Sequence, residues 1–181
     1  MCKQPVSTAT PSVPRPHQSH IGEKVRVGPF EVYAWGTQYS EPVELIRSMD
    51  IIVPLTHGDM PFDFGYRYTI LCGALKDFSG VPGNWKQFLQ TVIVELNAGK
   101  KILAFCVGSH GRTGVFLASL ISLLETKEET PDPIAAVRER HCEKAIETLA
   151  QAEAIFALRG QKLPGKYRKE FPAHQPAAKT G

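Results

Sequence analysis

Apolar positions along the chain alternate between short continuous runs and longer stretches in which they recur every three or four residues. The runs read as strands: residues 26–35 (RVGPFEVYAW) as a strand or hairpin, 50–56 (DIIVPLT), 67–75 (RYTILCGAL) and 101–106 (KILAFC). Between them, residues 40–48 suggest a short helix starting near Pro42. Trp85, Phe88, Leu89, Val92, Ile93 and Leu96 mark a strongly amphipathic helix with Asn84 as its cap and Gly99 at its end. Residues 113–125 form a helix apolar on most faces, as suits the centre of a domain. Asp132 and Pro133 supply a cap and a first-turn proline for a helix to about Arg140, and residues 143–158 make a last helix closed by Gly160. Strands separated by amphipathic helices predict an α/β fold: a single domain with a central, mostly parallel four- to five-stranded sheet and helices on both faces.

Composition limits what this fold can carry. The 181 residues, 43% of them hydrophobic, suffice for one core of ordinary size. Residues 1–23 are rich in Pro, Ser, Thr and Gln and read as a disordered arm, leaving a folded domain over 24–162. Residues 163–181 read as a disordered basic tail. That tail contains Lys166, Arg168, Lys169 and Lys179 against Glu170, which accounts for the whole formal charge of +3. The remainder is neutral on balance, which argues against a nucleic-acid binder with a broad basic face. No apolar stretch approaches the ~20 residues of a membrane span, and no secretory signal is visible, so a cytoplasmic monomer is expected. Cys2, Cys72, Cys106 and Cys142 form no CxxC pair and accompany no zinc-type histidine spacing, so no disulfide framework, metal or cofactor is expected.

One stretch concentrates the chemistry. In residues 100–114, KKILAFCVGSHGRTG, an apolar strand stops at Cys106 and a helix starts near Arg112. If the intervening chain curls, the backbone N–H groups of Val107, Gly108, Ser109, His110, Gly111 and Arg112 form a cradle for a tetrahedral oxyanion. The helix dipole reinforces it, and Gly108 and Gly111 permit the tight turn. Arg112 offers a planar fork for two oxygens. The same positive field suits a thiolate nucleophile at Cys106, with Thr113 placed to donate its hydroxyl to the sulfur.

Cys106, Arg112, Thr113 and Gly114 resemble the loop HCxxGxxR[ST]G of the protein tyrosine phosphatase superfamily, most closely its compact dual-specificity branch. Phe105 stands where that pattern has His, and Ser109 where it has Gly. The resemblance spans roughly residues 26–160 and implies a protein tyrosine phosphatase-like fold. It also implies metal-independent hydrolysis of phosphate monoesters through a phosphocysteine. It places a general acid on a loop about thirty residues before the cysteine, which selects Asp77; Asp59 and Asp63 are the alternatives. In IETLAQAEAIFAL, Gln151 matches a glutamine that faces the phosphate loop and positions water. His110 is expected to point toward the pocket mouth, and Cys72 to be a buried thiol in its strand. The implied partner is a phosphorylated protein or peptide, phosphotyrosine first, with phosphoserine and phosphothreonine allowed. The alternatives are a catalytically weak or inactive phospho-binding module, or a phosphatase for a phosphoinositide or an RNA 5′-phosphate.

Overall fold

The structure, a computed structural model, describes residues 14–16, 18–58 and 68–171. A five-stranded sheet runs in the order β1-β2-β5-β3-β4, where β1 is Ile21–Val27, β2 Phe30–Gly36, β3 Ile51–Pro54, β4 Thr69–Ile70 and β5 Ile102–Cys106. β1 and β2 form an antiparallel hairpin, and the other pairings are parallel. Among the described residues, six helices accompany the sheet: α1 (Val43–Arg47), α2 (Trp85–Asn97), α3 (Gly111–Leu124), α4 (Pro133–Arg140), α5 (Leu149–Ala157) and α6 (Gly165–Glu170). No helix among the described residues is long and apolar enough to cross a membrane.

Strand alternation divides the core between the two faces of the sheet. Ile102, Ala104 and Cys106 belong to the larger cluster, with Leu89 and Val92 of α2, Phe116 and Leu120 of α3, and Ile155 of α5. Leu103 and Phe105 point the other way, into a smaller cluster with Trp35, Ile52, Met49 and Ile46 of α1. Phe105 lies 5.6 Å from Trp35 between ring centroids. The residue before the cysteine is therefore a core residue on the face opposite the sulfur. Within the apolar α3, the buried Ser119 is explained by Trp85, whose indole N–H donates to its Oγ at 3.1 Å and ties α2 to α3.

Four expectations need correction. β1 begins at Ile21, inside the stretch expected as a disordered arm, because β2 is long enough to pair Ile21 with Trp35. The preceding segment is also held: Arg15 N–H donates to Arg138 O at 2.9 Å, and Glu143 N–H to Arg15 O at 2.8 Å. α6 lies inside the expected tail, anchored by buried Tyr167, which Lys- and Pro-rich surroundings hid. The last long helix starts at Leu149, not 143. Residues 142–147 are held out of helix by Arg138, which donates to Ala145 O and Ile146 O at 3.0 and 3.4 Å, and Ile146 adopts a left-handed φ of 67°. Cys72 is exposed rather than buried: it follows β4, the edge strand of the sheet, between Leu71 and Gly73, whose N–H groups donate to Ile52 O and Pro54 O.

Candidate active site

β5, the central strand, ends at Cys106, which is 2% exposed. Its Sγ accepts hydrogen bonds from Ser109 N–H and from Thr113 Oγ1, both at 3.1 Å. The chain beyond β2 supports the start of the loop: Thr37 N–H donates to Cys106 O at 2.9 Å and Gln38 N–H to Val107 O at 3.1 Å. α3 starts at Gly111, earlier than the expected Thr113, so its positive end adjoins the loop. Ser109 takes the left-handed conformation, with φ 59°, that glycine would adopt without strain.

In front of the sulfur is a cavity of about 140 Å³ lined by Cys106, Val107, Gly108, His110, Gly111 and Arg112 of the loop, with Asp77, Phe78 and Glu147 around it. Asp77 therefore reaches the loop, and its Oδ1 lies 3.2 Å from Arg112 Nε. Asp59, Asp63 and Cys2 are outside the described residues. Phe78 is exposed at the cavity mouth with a left-handed φ of 55°. Gln151 is buried and lies beside Gly111, but it stands behind Glu147 and does not line the cavity: its Oε1 accepts from Glu147 N–H at 2.8 Å.

Glu147 is the site residue that sequence reasoning missed. Its carboxylate presses so closely on Gly111 that a Cβ there would come within 1.8 Å of Oε2. Burial, and then the neighbouring Asp77, push its carboxyl above the ordinary range, with Arg112 opposing. A signal for it existed in Thr148-x-x-Gln151, the spacing of a capping box. Thr148 caps α5 and accepts from Gln151 N–H at 3.3 Å, which leaves Glu147 outside the helix and free to face the loop. The approach is close because α3 carries Gly114, where a Cβ would meet Ala145 Cβ at 3.0 Å.

Behind the loop is a second polar cluster. His141, fully buried, donates from Nε2 to Ser109 O at 2.6 Å, and its Nδ1 lies 3.0 Å from Glu23 Oε1. His20 pairs through Nδ1 with the same carboxylate oxygen. Its ring centroid lies 4.5 Å from that of His141 and 5.1 Å from that of His110. His110 thus does more than edge the mouth: its Nδ1 lies 3.7 Å from Cys142 Sγ. Burial opposes charge on His20, but hydrogen bonds to Cys142 and Glu23 outweigh it and push the imidazole up to about 9. Burial would likewise raise Glu23, yet His141 and His20 hold it down to about 2. Residues 20, 23, 110 and 141–142 are too scattered for spacing in the sequence to reveal this cluster.

A five-stranded mixed sheet whose central strand ends in a buried cysteine below an arginine-bearing helix start is the fold of the protein tyrosine and dual-specificity phosphatases. Among solved structures, the chain is similar to Tk-PTP in its active form, with a TM-score of 0.62 and 22% identity over 75% of this chain and 95% of that one. Kinase associated phosphatase, solved with serine at its catalytic site cysteine, gives a TM-score of 0.59 at 12% identity, covering 87% of this chain and 99% of that one. A point variant of human DUSP28 gives 0.59 at 11% identity, covering 75% of this chain and 93% of that one. No family model matches the chain. Two curated relatives from Methanocaldococcus jannaschii are uncharacterized. MJ0215 is 41% identical over 66 residues, and MJECL20 37% over 65, each match covering 36% of this chain. The matches span only 39% and 42% of the lengths of those relatives.

Proposed function

We propose that the chain is a metal-independent phosphatase acting through a phosphocysteine, with phosphotyrosine in a protein or peptide as its first substrate. The observation that carries this reading is Cys106 Sγ, held by Ser109 N–H and Thr113 Oγ1 at the base of a cavity that Arg112 and Asp77 also line. In the first step the Cys106 sulfur attacks phosphorus in line, and the bond to the leaving oxygen breaks. Arg112 and the loop N–H groups hold the equatorial oxygens while Asp77 delivers a proton to that oxygen. In the second step water attacks the phosphocysteine, Asp77 takes its proton, and inorganic phosphate leaves with the sulfur restored. The water-orienting role that the resemblance gives Gln151 is proposed to act through Glu147, whose N–H its Oε1 accepts and which itself lines the cavity. The exposed Phe78 at the mouth favours an aryl phosphate, whose ring it can meet edge or face.

The test is turnover of an aryl phosphate and a phosphopeptide panel in the presence of chelator. Cys106→Ser should abolish turnover while retaining phosphopeptide binding. Asp77→Asn should slow release about 10²-fold or more for poor leaving groups and less for good ones. Retained turnover in Cys106→Ser would overturn the mechanism. An unchanged rate in Asp77→Asn would move the acid role to Glu147, the other carboxyl among the described residues that lines the cavity, or to Asp59 or Asp63. Binding without turnover by the unaltered chain would leave a phospho-binding module.

A further inference from the structure

We propose that His20, His110 and Cys142 form a site for one Zn²⁺ ion behind the phosphate loop, sharing only His110 with the lining of the cavity in front of it. The ligating atoms of the three side chains all lie within 4.8 Å of one another, and His20 and Cys142 are buried. Zinc–sulfur and zinc–nitrogen bonds at a tetrahedral angle put S and N about 3.5 Å apart. Cys142 Sγ and His110 Nδ1 are already 3.7 Å apart. His110 is the half-buried member of the three. Two imidazoles and a thiolate are a borderline-soft donor set, suited to zinc and poorly suited to calcium or magnesium. Three protein ligands leave one tetrahedral position for water.

The surroundings match those of a metal-bound histidine. Such a residue donates its other ring N–H to a carboxylate, which fixes the tautomer and aims the ligating nitrogen. His20 fits this pattern: Nδ1 is engaged by Glu23, which leaves Nε2 as the nitrogen for the ion. Glu23 also meets His141, which bonds Ser109 O in the loop. A cation here would tie the segment before β1, the phosphate loop and the turn after α4 together. On binding, the thiol proton of Cys142 and any proton held by His20 pass to solvent. The site does not depend on hydrolysis in front of it.

Cobalt titration of the full-length Cys106→Ser chain tests the proposal without using activity. One equivalent should bind with the visible bands of tetrahedral Co²⁺ and a near-ultraviolet sulfur-to-cobalt charge-transfer band. Zinc should displace it and raise the melting temperature by several degrees. Adding Cys142→Ser should remove the charge-transfer band. His110→Asn, on the half-buried loop position, should weaken binding at least ten-fold without unfolding the chain, and Glu23→Gln should weaken it about 10- to 100-fold. Cobalt binding without a sulfur band, a band that survives Cys142→Ser, or affinity unchanged by His110→Asn would overturn the proposal.

Discussion

Ser109 combines two local costs in the phosphate loop. Its φ of 59° puts an L-residue in the left-handed region, and its buried Oγ has no hydrogen-bond partner among the described residues. The backbone needs that conformation, because it turns Ser109 N–H onto Cys106 Sγ and Ser109 O onto His141. Glycine would adopt it without strain and without a stranded hydroxyl, at some cost in backbone entropy. Ser109→Gly is therefore expected to stabilise the chain by about 1 kcal/mol, or about 2–4 °C in melting temperature. Thermal unfolding of the two chains side by side checks this, and a lower melting temperature for the variant would refute it. Phe105 differs from Ser109 because its ring belongs to the core cluster behind the sheet, away from the loop. The identity of both residues was plain in the sequence, but the direction each faces was not.

At the scale of elements, α3 links the site to the core, and both of its ends are held. Its start adjoins the loop, while its last carbonyls are collected by Arg159, which donates to Ser122 O, Ile121 O and Glu125 O at 2.9, 3.0 and 2.9 Å. A planar guanidinium can serve several acceptors at once in a way a lysine cannot. Beside it, Glu125 receives Arg140 through both oxygens, at 2.5 and 3.0 Å, along with the Thr130 hydroxyl and Gly28 N–H at 2.7 Å. Burial alone would raise the Glu125 carboxyl, but Arg140, Thr130 and Gly28 outweigh it and hold the group down to about 2. A carboxyl depressed in the folded chain stabilises it above the unfolded value of 4.5 and ceases to do so as pH falls from there toward 2. Glu125→Gln should cost about 2 kcal/mol at pH 7 and flatten the loss of stability between pH 5 and 3. Urea unfolding across that range reads both effects, and an acid limb as steep as that of the unaltered chain would refute the assignment.

Across the whole molecule, the two segments that composition marked as arm and tail contribute to the fold. Tyr167 of α6 is buried, stacks on Phe171 with centroids 6.2 Å apart, and donates its hydroxyl to Asp132 at 2.8 Å. Asp132 caps α4 through Ile134 N–H and Ala135 N–H. Arg138 of α4 in turn holds residues 145–146 and so the segment that ends in Glu147. A chain ending at residue 162 should therefore lose about 3 kcal/mol of unfolding free energy, and Tyr167→Ala most of that. Equal stability of the truncated and full chains would refute the role given to α6.

The sequence by itself determined the class of fold, the sheet-forming runs, the amphipathic α2 and the sulfur–arginine loop, because each depends on neighbours within a few residues. Periodicity reports which face is apolar, and a strand, a glycine-bearing turn and a helix start are contiguous chemistry. Asp77 was legible only through the family resemblance, which sets an acid about thirty residues before the cysteine; its Oδ1 lies 3.2 Å from Arg112 Nε. Tertiary structure alone decided what long-range contacts create. It keeps residues 142–147 out of helix so that Glu147 enters the cavity, and it sets Gln151 behind Glu147. It turns His141 from α4 to the loop carbonyl. It also gathers His20, Glu23, His110 and Cys142 from positions whose separations of up to 122 residues leave no periodic trace.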